Sequence, residues 1–296
     1  MKLLFTGASG FLGNSVRPLL ERTYDIVTVG LLPQDDYTIN IAKEIPLLRE
    51  RYDVVFHAAG KAIPKTKAEK QAFFDVNLQG TKNLCAALEK AGIPRAFIFV
   101  STVAVYGCDY GENITEEHPL YGNTPYAMSK RLAEKYIQKW CCEHNVVLGI
   151  IRPSLIAGPT PPGNLGAMIH GIRNGKYLSI AGGQARKSVL MVQDIAKLVP
   201  LLVEKGGIYN VCDSHHPTFG ELEATICRQL DKKLPLSIPY WAAKCMALIG
   251  DCLGKKAPIN SLKLDKITKS LTFSNEKAIR ELGWKPTHVL ENFKIE

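Results

Sequence analysis

The chain has 296 residues, 46% hydrophobic and 22% charged, enough to bury a large core and consistent with one large domain or two closely joined ones. No apolar run reaches the ~18 residues of a membrane span, nothing is low-complexity, and no period repeats. The net charge of +9 is dispersed, and its densest spots, Lys61-Lys65-Lys67-Lys70 and Lys255-Lys256, lack interleaved aromatics. These features argue against a nucleic-acid partner and a membrane partner, and for a basic surface that attracts anionic small molecules.

The first strand-like run, Lys2 to Thr6, begins at once and leaves no room for a leader, so the expected location is the cytoplasm. Strands are predicted at Leu3–Thr6, Ile26–Val29, Val54–His57, Ala96–Val100 and Val147–Ile151. Helical patterns fall between them at roughly 12–21, 41–51, 73–91 and 126–144. Apolar strands alternating with helices predict an α/β fold, a doubly wound parallel sheet of the Rossmann type. After Arg152-Pro153 a Pro/Gly-rich stretch over 157–166 leads into helices near 164–174, 193–204, 218–230, 240–253 and 275–282, with strands at 188–192 and 208–212. The expected division is residues 1–158 with about 187–215 as the dinucleotide-binding domain. Residues 159–186 with 216–296 form a smaller, interleaved α/β substrate domain. Within it Tyr240–Leu253, interrupted by Lys244 and Asp251, reads as a core-facing helix, ahead of an interfacial membrane helix. Eight cysteines show no C-x-x-C and no paired spacing, so reduced structural thiols and no metal site are expected.

Two local patterns carry chemistry. Gly7-Ala8-Ser9-Gly10-Phe11-Leu12-Gly13 sits between a strand and a helix, where glycines allow a tight turn and close backbone approach to a pyrophosphate at the helix N-terminus. This implies NAD or NADP. The acidic residue expected at the end of the second strand is missing, since Val29 runs into Gly30-Leu31, and Asp35 and Asp36 come late. The choice between the two cofactors is therefore open. Further on, Tyr126-x-x-x-Lys130 opens a helix after Asn123-Thr124-Pro125, with phenol and ammonium on one face. Met128, Leu132, Tyr136 and Trp140 form a separate stripe expected to pack inward. A nearby cation lowers a tyrosine pKa toward the range of a general base.

With these stand His57-Ala58-Ala59-Gly60, Asn77-Leu78-Gln79-Gly80-Thr81, Ser101-Thr102, Arg152-Pro153 through Gly158-Pro159, Asn164-Leu165, and Arg186-Lys187 before Val192-Gln193-Asp194-Ile195-Ala196. In that order the chain resembles the extended short-chain dehydrogenase/reductases, in particular the nucleotide-sugar epimerase/dehydratase family. The resemblance implies that Tyr126 is the acid/base, that Thr102 binds the reacting hydroxyl, and that Lys130 holds the nicotinamide ribose and depresses the tyrosine pKa. It places Gly7, Ser9, Gly10, Phe11, Leu12, Gly13, Ala58, Ala59, Gly60, Lys61, Ser101 and Pro153 along the cofactor, with Asn77 as a brace. Asn164, Leu165 and Arg186 or Lys187 would contact a nucleotide-sugar substrate. Val103 and Ala104 stand where dehydratases carry Asp-Glu, which argues against dehydration. Cys108 has no matching histidine in the pattern of the ring-epimerising reductases. What the resemblance implies is 4-epimerisation through a 4-keto sugar, with a 4-keto-sugar reductase or dehydrogenase, or a non-catalytic NAD(P)-binding regulator, as alternatives; a homodimer is left open.

Overall fold

In the computed structural model, which describes residues 1–63, 70–253 and 259–296, the chain runs β1 (Lys2–Thr6), α1 (Phe11–Leu20), β2 (Asp25–Gly30), β3 (Tyr37–Thr38), β4 (Val54–His57), α2 (Lys70–Phe74), α3 (Gly80–Ala91), β5 (Ala96–Val100), β6 (Gly111–Ile114), α4 (Pro125–Glu143) and β7 (Val147–Pro153). It continues through β8 (Leu155–Ala157), α5 (Gly163–Arg173), β9 (Ser179–Ile180), β10 (Val189–Met191), α6 (Asp194–Lys205), β11 (Gly207–Val211) and α7 (Phe219–Gln229). Last come β12 (Ser237–Ile238), α8 (Tyr240–Leu253), α9 (Ser261–Thr268), β13 (Leu271–Phe273), α10 (Glu276–Leu282) and α11 (Val289–Asn292). Of the basic spots, Lys65, Lys67, Lys255 and Lys256 lie outside the described residues.

Seven strands form the main sheet in the order β11-β7-β5-β4-β1-β2-β3, every neighbouring pair parallel. The chain winds outward from β1 to β3, then crosses back to the other side of β1 and winds on to β11. The direction reverses between β1 and β4, where Thr6 stands opposite His57. Open α/β sheets bind ligands in the crevice beyond the strand carboxyl ends at such a point. Both faces are covered, so β4 and β5 are buried throughout, as their uninterrupted apolar sequences require. On one face Leu3, Phe5, Phe56 and Ile98 pack against α1, α6 and α10. On the other Leu4, Val55, Phe97 and Phe99 pack against α3 and α4.

The doubly wound expectation holds, with four local differences. Residues 41–51 are irregular rather than helical. Pro46 lacks the N–H a helix interior needs, and the Asn40 side chain accepts from Ala42 N at 3.1 Å, turning the chain instead. Strand β10 pairs with β8 in a separate two-stranded ladder, so only β11 returns to the main sheet. Residues 276–284 join the main core rather than the smaller part: Ala278, Leu282 and Trp284 pack with α1 and α6. The buried Asp194 carboxylate holds this return, accepting from Thr287 N and Thr287 Oγ1 at 2.6 Å each. Finally, α8 faces a small core only through Ala243, Ala247 and Gly250, and its larger apolar residues are exposed.

Candidate functional site

Strands β1, β4 and β5 are neighbours in a parallel sheet, so the turns that follow them meet at one edge. After β1 the three loop glycines have different duties. Gly7 has φ +78°, and a Cβ there would lie 2.6 Å from Ala59 N; one on Gly13 would lie 2.3 Å from the Gly7 and Ala8 carbonyl oxygens. Both are required by the fold itself. Gly10 is exposed, and a Cβ there would meet only the Gly7 oxygen at 3.4 Å. It is the N-cap of α1 and supplies no side-chain cap. An uncapped helix start under open space suits a pyrophosphate. Phe11 and Leu12 pack partly into the core, and the Ser9 carbonyl accepts from Asn14 Nδ2 at 3.2 Å.

After β4, the wholly buried His57 bridges two threonines. Its Nδ1 lies 2.6 Å from Thr6 Oγ1 and its Nε2 2.9 Å from Thr81 Oγ1. Thr81 donates to the Asn77 carbonyl at 2.7 Å and so accepts from His57 Nε2–H, which leaves Nδ1 to accept from Thr6. Thr6 Oγ1 in turn accepts from Ala59 N at 3.2 Å. Burial, assisted by the Lys130 charge, pushes the imidazole down to about 3, so it stays neutral as this chain of bonds needs. The small residues Ala58, Ala59 and Gly60 thus form a fixed, nearly bare floor. Asn77, in a π-helical turn over Asp75–Gln79, extends it by receiving Lys61 N at 2.8 Å and donating to Lys61 O at 3.0 Å and to Ser129 Oγ at 2.9 Å. Asn77 is a brace, as expected, but of this loop against α4 rather than of the sheet.

After β5, Thr102 caps a short 3₁₀ turn over Val103–Tyr106, its Oγ1 accepting from Ala104 N at 3.2 Å. Helix α4 starts opposite, capped by Thr124 with Pro125 in its first turn. The Tyr126 phenol lies near the Thr102 hydroxyl, close enough for that hydroxyl to favour its ionised form. One turn on, Lys130 is buried, donating to the Val100 carbonyl at 2.8 Å and lying 4.7 Å over the Phe99 ring. A Cβ on Gly60 would lie 3.2 Å from Lys130 Nζ, so the ammonium borders the bare floor. Burial lowers Lys130 to about 8 against the pull of Glu134. Burial raises Tyr126, and what opposes this is the nearby Thr102 hydroxyl. The depression expected from Lys130 is therefore not found in this state, in which the ammonium is turned to Val100.

The inward stripe of α4 also differs from expectation. Met128 and Leu132 are exposed, while Trp140 is buried and Tyr136 partly so, as expected; the other inward residues are Lys130, Ala133, Glu134, Ile137 and Cys141. Polar residues can face inward because a network receives them. The Ser101 hydroxyl donates to Glu134, whose carboxylate takes Arg152 Nε at 3.1 Å and a second guanidinium nitrogen at 2.6 Å. Arg152 donates to Tyr106 Oη at 3.0 Å, and Tyr106 donates to Asn210 Oδ1 at 2.6 Å. Ser101, expected along the cofactor, is committed to this network. Pro153 is buried at the end of β7, two strands from β4. Glu134 escaped the sequence reading, although its i+4 spacing from Lys130 was visible.

The substrate-side residues are more scattered. Asn164 is exposed in the first turn of α5, whereas the Leu165 side chain is 1% exposed within the α5–α7 core and leaves only backbone for a ligand. Arg186 is exposed and donates to the His216 carbonyl at 3.0 Å. Lys187 donates to the Lys269 carbonyl at 2.9 Å and is lowered to about 8 by burial and by Lys266, with Asp109 pulling the other way. Lys187 thus lies towards the loop that follows the Thr102 turn. Near its root a histidine does meet Cys108: His118 Nε2 is 3.6 Å from the thiol, with Nδ1 held 2.8 Å from the Pro119 carbonyl. Burial and Asp109 push that thiol up, away from a thiolate. Asp35, distant in sequence terms, folds back to the end of β2, where a Gly30 Cβ would collide with its Oδ2 at 2.2 Å. That oxygen accepts from Leu32 N at 2.9 Å.

Among the described residues no cluster of three or more His, Cys, Asp or Glu could hold a metal, and no helix is long and apolar enough to cross a membrane. Known proteins resemble this chain in sequence and in fold. An N-acetyl-alpha-D-glucosaminyl-diphospho-ditrans,octacis-undecaprenol 4-epimerase of Escherichia coli O157:H7 is 31% identical over 69% of this chain and 65% of its own length. A UDP-glucose 4-epimerase of Vibrio cholerae is 27% identical over 99% of this chain and 93% of its own. The fold matches the crystal structure of a UDP-glucose 4-epimerase of Thermotoga maritima at a TM-score of 0.75, with 22% identity, over 99% of this chain and 96% of that one. Residues 3–212 match the family model described as NAD dependent epimerase/dehydratase family. From the glycine loop of β1 to the end of β11, this chain belongs to the NAD-dependent epimerase/dehydratase family.

Proposed function

We propose that the protein is an NAD(P)-dependent 4-epimerase of sugars held through a diphosphate, with nucleotide sugars as the substrate class. The observation that carries this reading is the placing of Thr102 and Tyr126 beside the buried Lys130, at the carboxyl end of β5 and bordering the floor of Ala58, Ala59 and Gly60. The residues present fit a dinucleotide: open space over Gly10 and an uncapped helix for the pyrophosphate, small side chains beneath the nicotinamide. When bound, that group takes and returns a hydride.

The chain's own part is proton handling and positioning. Thr102 holds the sugar hydroxyl in line with Tyr126, and Tyr126 exchanges its proton with that oxygen. Lys130, released from the Val100 carbonyl, brings positive charge toward the phenolate and opposes the effect of burial on Tyr126. Lys187 supplies positive charge for the sugar's phosphates, which would favour its protonated form. Val103 and Ala104 offer no acid or base for removing water. The Asp35 carboxylate at the end of β2 disfavours a 2′-phosphate, so we read NAD as the preferred cofactor.

The test is a panel of UDP-, GDP- and dTDP-sugars, incubated without added cofactor and with each dinucleotide in either redox state. An epimerase interconverts the two 4-hydroxyl isomers with no net change in nicotinamide absorbance. Consumption of NAD(P)H in proportion to a 4-keto sugar, without interconversion, would establish a reductase instead. Tyr126→Phe is expected to reduce turnover ~10²-fold or more with dinucleotide binding retained; a normal rate removes Tyr126 from its role. Because the E. coli relative is named for a sugar on diphospho-undecaprenol, a polyprenyl-diphosphate sugar belongs in the same panel.

A further inference from the structure

Helix α8 presents an unusual surface. Its buried stripe is Ala243, Ala247 and Gly250, with the two alanines set against Ile180 of β9 and Leu264 of α9. The rest of its circumference exposes Tyr240, Trp241, Met246, Leu248 and Ile249, with Trp241 71% exposed. Leu234 and Leu236 of the preceding loop and Leu262 of α9 are exposed as well. Single exposed apolar residues are ordinary, but a whole helix flank of them marks an interaction surface.

The charge around this flank identifies its partner. Lys232, Lys233, Lys244, Lys266 and Lys269 are exposed, the last two paired with Asp109 and Asp265, and the stretch 231–270 contains no glutamate. Of its three aspartates, Asp251 accepts from Ser261, Asp265 pairs with Lys269 and Asp231 is exposed. An apolar helix flank bordered by lysines, with Tyr240 and Trp241 at one end, has the makeup of a helix lying in a bilayer interface. Anionic headgroups complement the lysines, whereas a second copy of this chain seated on the same flank would set lysine against lysine.

We propose that α8 docks the protein on the surface of an anionic bilayer, lying in the interface rather than crossing it. This revises the expectation of no membrane partner. The docking face adjoins the substrate side, since Lys187 donates to the Lys269 carbonyl at the end of α9. If the proposed function holds, the phosphate-binding residues then stand beside the headgroups. The docking itself does not depend on that reading.

The tryptophans make the test specific, because Trp140 is 3% and Trp284 1% exposed while Trp241 is open. The full chain is mixed with vesicles of phosphatidylglycerol and phosphatidylcholine, and separately with phosphatidylcholine alone. Co-sedimentation and a blue shift of tryptophan emission are expected with the anionic vesicles, weakened by salt, and the shift should vanish in Trp241→Ala. Trp241→Glu and Leu248→Glu should each weaken vesicle binding about tenfold or more. Their far-UV spectra and their turnover of soluble nucleotide sugars should stay at the wild-type level. Absence of wild-type binding to anionic vesicles overturns the proposal, as does binding that survives both glutamate substitutions. A dimer in sedimentation velocity that Trp241→Glu dissociates, with no vesicle binding, would assign the face to a second copy. Vesicle binding without turnover of any sugar in the panel would leave docking in place and remove the proposed function.

Discussion

Helices α4 and α8 differ in what they bury. Helix α4 turns Lys130 and Glu134 toward the sheet and leaves Met128 and Leu132 exposed. Helix α8 buries two alanines and a glycine and exposes its aromatic and branched residues. On α4 the inward groups are polar because Ser101, Arg152 and the Val100 carbonyl meet them. On α8 the inward groups are small because β9 and α9 come close. Hydropathy alone would place the inward face of each helix wrongly. What decides it is the neighbour: hydrogen-bond partners in one case, a close backbone approach in the other.

The largest expected effect lies outside both helices, in the glycine loop at the start of α1. Gly13→Val puts a side chain into the Gly7 and Ala8 carbonyls, and loss of the folded state is expected. Gly10→Val, three residues away, should fold normally yet lose dinucleotide affinity, since only the open side of the loop is filled. Equilibrium dialysis of NAD with the folded variant checks this, and unchanged affinity would refute the assignment of Gly10. Next in size, Arg152→Met leaves the buried Glu134 carboxylate without its cation. A loss of about 3–5 kcal/mol is expected in urea unfolding, partly restored in the double variant with Glu134→Leu. A loss below ~1 kcal/mol would show that the network is ornamental to stability.

A pH series sharpens the same point. Lys130 and Lys187 both sit near 8 in the folded chain against an ordinary value of 10.5. Between these values the unfolded chain holds more protons, so the contribution of each lysine to stability rises with pH across that window. Lys130→Met should therefore be most favourable, relative to wild type, at and below pH 8. Its advantage should shrink by up to ~1.4 kcal/mol per pH unit on the way to pH 10. A constant difference would mean that Lys130 is not desolvated. The smallest effect belongs to α8: Leu248→Gln should change stability by no more than ~0.5 kcal/mol, because the side chain it removes touches water. A larger loss would place that flank inside a contact.

Periodicity and punctuation were sufficient for the main sheet except its two-residue edge strand β3. β1, β2, β4, β5 and β7 fall where apolar runs predict them, because strands covered on both faces have little freedom in composition. The glycine loop and the Tyr126/Lys130 pair were equally legible, since a tight turn and an i+4 spacing are local facts. Other features had no local signal. Helicity over 41–51 gave way to Pro46 and the Asn40 turn. The two-residue strand β3 and the three short parallel ladders of the second half are created by partners far away in the chain. Asp35 reaches the end of β2 only because the loop folds back over Gly30. Sequence by itself determined most of the doubly wound sheet and brought out the glycine loop and the Tyr126/Lys130 pair, because these follow from spacing along one segment. Only the tertiary structure decided that Lys130 is turned to Val100, that Glu134 and Arg152 support it, and that α8 faces outward. Each of these depends on which groups meet across the fold, and burial, charge pairing and exposure are properties of that meeting.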